Sequence, residues 1–233
     1  MRNLNLKNCV TWLKKMGPHP MVIHPHDYWL SPLGALLGLA STAYLSQIFL
    51  GTQNPWFIAP MGASAVLLFA VPASPLAQPW SVIGGNLIAA SVGVTCAQLI
   101  ASPILSVAIA GSVAIALMMR LRCLHPPSGA VALTAILGGS SISALGYQFV
   151  LFPVLANSLF LITLAIIFNR LCKRDYPHHP QAIPSKKTGV LEITLEDVET
   201  ALRQHHELLD IDENDLLNIV NETEQIAANR RKQ

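Results

Sequence analysis

Residues 81–120 read SVIGGNLIAASVGVTCAQLIASPILSVAIAGSVAIALMMR, and no charged side chain appears before Arg120. Two apolar stretches, 81–100 and 104–119, are parted only by Ala101, Ser102 and Pro103. As helices they run about 30 and 24 Å, near the length needed to span the hydrocarbon core of a bilayer, about 30 Å thick. Outward from this stretch the poverty of charge continues. Between Asp27 and Arg170 the only formally charged side chains are Arg120 and Arg122, with His125 close by, and no Asp or Glu occurs. A soluble domain carries about 25% charged residues; this 233-residue chain carries 12%, with 52% hydrophobic residues and a mean hydropathy of +0.46. In lipid a backbone must satisfy its own hydrogen bonds, so the block reads as membrane helices.

Four segments reach spanning length: 32–50, 81–100, 104–119 and 148–169. Proline stands at the front of several, where a helix has no use for its missing N–H. Tyr28 and Trp29 form an interfacial anchor ahead of the first. Two shorter apolar pieces, 57–71 and 126–138, lie between them. Pro60-Met61-Gly62-Ala63-Ser64-Ala65 and Pro127-Ser128-Gly129-Ala130-Val131-Ala132 share the pattern Pro-x-Gly-Ala-x-Ala, 67 residues apart. One reading is an internal repeat. The other is two unrelated small-residue packing faces.

Topology divides two arrangements. If both short pieces turn back there are four crossings; if both cross, there are six. With six, Lys14 and Lys15, Arg120 and Arg122, and Lys173 and Arg174 share the cytoplasmic side, while the opposite loops hold no Lys or Arg. The positive-inside rule favours six, a 3+3 inverted repeat. The expected fold is an all-α membrane protein with four long transmembrane helices, two short broken half-helices and a small cytoplasmic helical tail. Residues 1–30 form a basic lead-in without the apolar core of a signal peptide. Residues 31–172 form the transmembrane domain, 173–190 a Pro-rich linker and 191–233 the tail.

In the tail, Thr194 with Asp197 and Asp212 with Asp215 resemble helix caps ahead of two amphipathic stretches. Asp210-x-Asp212-x-Asn214 opens like a calcium loop, but Asp215 stands where glycine is required, so calcium is rejected. Cys9, Cys96, Cys123 and Cys172 show no metal or redox spacing and read as small apolar side chains. His19, His24, His26, His178 and His179 flank the membrane entry and exit. Asn86 and Asn157 sit in apolar helices, where interhelical hydrogen bonding is the default. No metal or cofactor is expected, and a net charge of +2 gives no footing for nucleic acid.

The one concentrated polar cluster of the apolar block is Arg120, Arg122, His125 and Ser128 beside Gly129 and Ala130. A half-helix starting at Pro127 would present the N–H groups of Ser128, Gly129 and Ala130, and one starting at Pro60 those of Met61, Gly62 and Ala63. Two such ends near the midplane attract an anion without a full charge. Arg122 and His125 are the expected inner approach, although Arg120 and Arg122 read equally as interfacial orientation signals. With no carboxylate available, cation relay is disfavoured. The expected solute-binding set is therefore Arg122, His125, Ser128, Gly129, Ala130, Met61, Gly62 and Ala63.

The run Cys123-Leu124-His125-Pro126-Pro127-Ser128-Gly129-Ala130-Val131-Ala132-Leu133 resembles the signature of the HPP family of integral membrane proteins. Residues 59–69 and 78–86 resemble its other shared blocks, so the likeness covers about residues 30–172 in order. The resemblance implies a domain usually described with four transmembrane helices. It also implies an association with nitrite transport in plastid and cyanobacterial members. Many bacterial relatives carry a CBS pair after a helical linker similar to residues 194–232, and this chain ends where that pair would begin. The resulting expectation is a channel or transporter for a small anion such as nitrite, in a bacterial inner membrane, with both termini cytoplasmic and a homo-oligomeric state open. The alternative is a non-transporting anchor or sensor acting through its tail. No pairing of nucleophile and base points to an enzyme.

Overall fold

A computed structural model describes residues 25–50, 59–178 and seven helical positions between 216 and 224. Residues 1–24 of the expected lead-in, the Pro-rich linker beyond His178 and the helix caps of the tail lie outside the described residues. Within them the chain is all-helical. α1 (Asp27–Leu50) and α2 (Pro60–Ala70) precede a short 3-10 turn, Pro75–Ala77. α3 (Pro79–Leu99), α4 (Pro103–Arg120) and α5 (Pro126–Leu137) follow, then the short α6 (Ser140–Leu145). A π-helical turn, Val150–Leu155, interrupted by extended backbone at Phe152, leads into α7 (Ala156–Leu171). Among the described residues three helices, α3, α4 and Val150–Leu171, are long and apolar enough to cross a membrane. The two short apolar pieces are helices of 11 and 12 residues, about half the hydrocarbon thickness each.

The element ends sort into two groups. At one end, Arg174 pairs with Asp27 at the start of α1 and donates from Nη1 to Phe69 O near the end of α2 (2.8 Å). There too Tyr176 donates its hydroxyl to Ala77 O (2.9 Å), and Trp80 Nε1 reaches Leu121 O, joining the start of α3 to the end of α4. At the other end, Thr95 and Tyr147 share a hydrogen bond of 2.8 Å. A Cβ on Gly146 would stand 3.6 Å from Gln98 Nε2. α2 therefore finishes at the end where α1 begins. α5 sets out from the end where α4 stops, and the chain beyond it emerges at the far end of α3.

Packing follows from small residues. α3 and α5 meet along Gly85, Ala89 and Gly93, spaced four apart on one helix face. A Cβ on Gly93 would lie 2.5 Å from Ala132 O, so the two backbones approach as close as glycine allows. On the other side, Phe69 of α2 fills the notch left by Gly34 and Gly38 of α1, where added Cβ atoms would come within 2.5 and 2.8 Å of its ring. Phe168 of α7 stacks edge-on against Phe69 at 5.6 Å between centroids. α4 is peripheral. Its buried positions are only Ser106, Ala110, Ala114 and Met118, a single line at i, i+4 spacing, and the rest of its apolar surface faces outward, as lipid-facing residues do.

Arg120 and Arg122 acquire a local explanation here. Cys123 N donates to Met118 O and Arg122 N to Met119 O, the paired bonds of a Schellman cap, with Arg122 in the left-handed region at φ 54°. α7 ends the same way: Arg174 N to Asn169 O, Lys173 N to Arg170 O, and Lys173 at φ 59°. A basic residue thus occupies the position usually taken by glycine at two helix ends, where positive charge complements the carbonyl end of the dipole.

Candidate functional site

His125 is the N-cap residue of α5, and its side chain is fully buried. Nδ1 lies 2.8 Å from Leu76 O, an acceptor only, so Nδ1 carries the proton. The neutral ring then accepts at Nε2 from the hydroxyl of Ser64, 2.8 Å away on α2. One imidazole thus joins α5 to the middle of α2 and to the turn after it. Sequence reading named His125 but missed Ser64. The only signal was a serine at an otherwise apolar position, which helices in lipid tolerate by bonding the carbonyl four residues back; Ser64 keeps that option at 3.3 Å from Pro60 O.

A second chain of bonds leaves the next turn of α5. Ser128 Oγ donates to Asn86 Oδ1 (2.7 Å), Asn86 Nδ2 to Ser158 Oγ (2.9 Å), and Ser158 Oγ to Val154 O (2.7 Å). All three side chains are fully buried, so in this apolar interior every bond matters, because an unmet partner costs about 1–3 kcal/mol. Gly85 makes room for the meeting: its Cβ would fall 2.8 Å from Ser128 Oγ and 2.9 Å from His125 Cβ. Asn86 therefore does hydrogen-bond between helices, as its sequence context suggests.

The two half-helix starts differ from the expected geometry. α5 begins at Pro126 rather than Pro127, and Ser128 N donates to His125 O (2.9 Å). At α2, Gly62 N donates likewise to Ala59 O (3.0 Å). Each first turn closes on itself, so these two amides are already used. The motif register nevertheless matches in burial. Pro60 and Pro127, Met61 and Ser128, Ala65 and Ala132, and Leu68 and Ala135 are buried; Ala63 and Ala130 are exposed; Gly62 and Gly129 lie between, with open space beside each α-carbon. Of the expected solute-binding set, His125 and Ser128 are buried together at the start of α5, and Met61 is buried on α2, three residues before Ser64. Gly62, Ala63, Gly129 and Ala130 line the open sides of their helices. Arg122 is exposed on the α4 cap, apart from the buried cluster, as is Arg120.

A further group of residues escaped sequence reading. Asn169 on α7 is fully buried and donates from Nδ2 to Leu68 O (3.0 Å) and Ala165 O (2.9 Å). With Arg174 on Phe69 O, it caps the last carbonyls of α2, which the short helix cannot satisfy itself. Arg174 also approaches Ser31 Oγ at 3.3 Å. Tyr176, outside the helices, is buried at the same end, and burial pushes its phenol above the usual range. Among the described residues no cluster of His, Cys, Asp or Glu could hold a metal.

Residues 20–177 match the family model described as HPP, transmembrane region. Two relatives from Dictyostelium discoideum, both named only as transmembrane proteins, are similar over 154 residues, or 64% of this chain. One, transmembrane protein DDB_G0269096, is 36% identical and covered over 53% of its length. The other, DDB_G0273707/DDB_G0273361, is 33% identical and covered over 49%. The chain thus spans about half the length of these relatives. No solved structure matches it.

Proposed function

We propose that this chain, which belongs to the HPP transmembrane family, is a channel or transporter for a small anion, with nitrite the first solute to test. The observation that carries the reading is the set of fully buried polar side chains Ser64, His125, Ser128, Asn86 and Ser158, drawn from α2, α5, α3 and α7, in a block without any carboxylate. A structural membrane domain has little need of such a cluster, because polar groups in lipid are costly unless they serve packing or passage. The hydroxyls of Ser64 and Ser128, the amide of Asn86 and the ring N–H of His125 are donors engaged with one another and with backbone carbonyls, and an oxyanion would be received by exchange of these bonds. The positive ends of the α2 and α5 dipoles add to the attraction.

The proposed topology has six crossings in two inverted halves, α1 to α3 and α4 to α7, with the Arg120–Arg122 end cytoplasmic. The segregation of element ends supports it. In a background with Cys9, Cys96, Cys123 and Cys172 replaced, single cysteines at the exposed Pro75 and Ser140 should label from opposite faces; labelling from one face ends the six-crossing scheme. Nitrite flux into proteoliposomes tests the function. Flux above that of protein-free vesicles, reduced by Ser128→Ala, is the expected result. Wild-type flux equal to protein-free vesicles would refute it.

A further inference from the structure

His125 holds the only imidazole buried among the described helices, and its contacts are arranged for two protonation states. In the neutral ring, Nδ1–H donates to Leu76 O and the Ser64 hydroxyl donates to Nε2. If Nε2 gains a proton, it becomes a donor, and the Ser64 oxygen accepts. The serine hydrogen then turns to Pro60 O, which already stands 3.3 Å away. Neither state leaves a ring nitrogen unpaired, and the exchange needs only the rotation of one hydroxyl. A buried histidine held for packing alone needs one of these states.

What a cationic ring lacks is a counter-charge. α2 and the turn Pro75–Ala77 contribute no ionisable side chain to it, and α3 contributes only Cys96, near its far end. On its own segment stand Cys123, buried against Gly84 (3.2 Å from Sγ to the added Cβ), and the exposed Arg122. Behind the turn, Tyr176 is engaged with Ala77 O, and Arg174 is paired with Asp27. No Asp or Glu lies between Asp27 and Arg170, so in this apolar interior the negative charge beside a protonated His125 must come from the solute.

We propose that His125 takes up one proton together with one monovalent anion, so that the pair moves without net charge. The inference rests on the anion-transport reading and adds the coupling ion to it. The proton enters from water on the side that supplies the anion, binds Nε2, and leaves with the anion on the other side; no bond to the anion forms and nothing is oxidised. By linkage each partner strengthens binding of the other.

The full chain in proteoliposomes, with nitrite as the probe and protein-free vesicles subtracted for acid diffusing through lipid, gives the test. The expected influx rises roughly tenfold per unit of external acidification, the signature of one linked proton, and ignores an imposed membrane voltage. Influx that follows voltage and ignores the proton gradient overturns the coupling while leaving anion transport standing. Influx no greater than that of protein-free vesicles overturns both. His125→Gln should abolish the proton dependence. Should that variant fail to fold, Ser64→Ala keeps the ring and removes the rotating hydroxyl. In labelled protein the His125 ring resonance, identified by its loss in His125→Gln or its shift in Ser64→Ala, should titrate at higher pH with nitrite than without. An unchanged titration also overturns the coupling.

Discussion

α2 and α5 share a six-residue pattern and a burial register, yet they are fastened in opposite ways. α5 is held from its start: His125 and Ser128 bond outward, and the helix then lies against the backbone of α3 along Gly85, Ala89 and Gly93. α2 is held at its finish. Asn169 and Arg174 take its last carbonyls, and Phe69 is wedged into the α1 notch at Gly34 and Gly38. The start of α2 is tied to α5 only one turn in, through Ser64. A short helix in apolar surroundings has orphan groups at both ends, and each of these two has outsourced a different end. Among the described residues the start of α2 therefore carries fewer side-chain ties than its finish.

Steric closure along α3 sets the largest predicted effect. Gly93→Leu would drive a side chain into Ala132 O and Cα, atoms of backbone that cannot swing aside. The expected loss exceeds about 3 kcal/mol, read as disappearance of the monodisperse peak in detergent. A well-behaved variant would show that α5 can slide on α3, and the contrast with α2 would fall. Phe69→Ala comes next. It empties the α1 notch and removes the ring contact with Phe168, at about 3 kcal/mol. Thermal unfolding in detergent measures it; a shift no larger than that of an exposed residue such as Val66→Ala would show that α2 depends on its carbonyl caps alone.

Much of the first arrangement was legible and little of the second. Proline-led starts and Asn86 in an apolar helix announce α3, α5 and an interhelical bond from α3, because these signals are local; the line of Gly85, Ala89 and Gly93 that meets α5 was not read from the sequence. The caps of α2 are not local: Asn169 and Arg174 act on carbonyls 101 and 105 residues away, and nothing in an Asn-Arg-Leu-Cys ending tells which helix receives it. The structural part played by Arg122 was hidden for a related reason. A basic residue near a polar cluster invites a binding role, whereas here it occupies the left-handed capping position where glycine is the usual marker. The span count also depends on geometry, since a helix of 11 or 12 residues carries too short an apolar run to register as a crossing.

The polar ties should cost less than the packing. Asn86→Ala leaves Ser128 without its acceptor and Ser158 without its donor, and about 2 kcal/mol is expected from the stranded groups. Asn169→Ala removes the cap from Leu68 O, whose i+4 partner is Pro72 without an N–H and whose neighbour Val71 N already serves Leu67 O; about 1 kcal/mol is expected, because one carbonyl is stranded where Asn86→Ala strands two groups. Melting temperatures of the two variants rank them; the reverse order would mean that the finish of α2, and not the start of α5, is the more tightly fixed point.

The smallest stability effect carries the sharpest functional question. At Gly62 and Gly129 an added Cβ meets nothing within 4 Å. Alanine there should leave the fold intact or stabilise it by up to about 1 kcal/mol, since glycine is the poorer helix former. Their presence at equal places in the two motifs is therefore not explained by packing among the described residues. If the open side of each helix start is where the anion passes, both substitutions should lower nitrite flux while the melting temperature holds or rises, and Gly129→Ala should match Gly62→Ala. Unchanged flux in both would place the path elsewhere, inside the His125 cluster. A loss in only one would show that the two starts, alike in sequence and burial, are unequal in use.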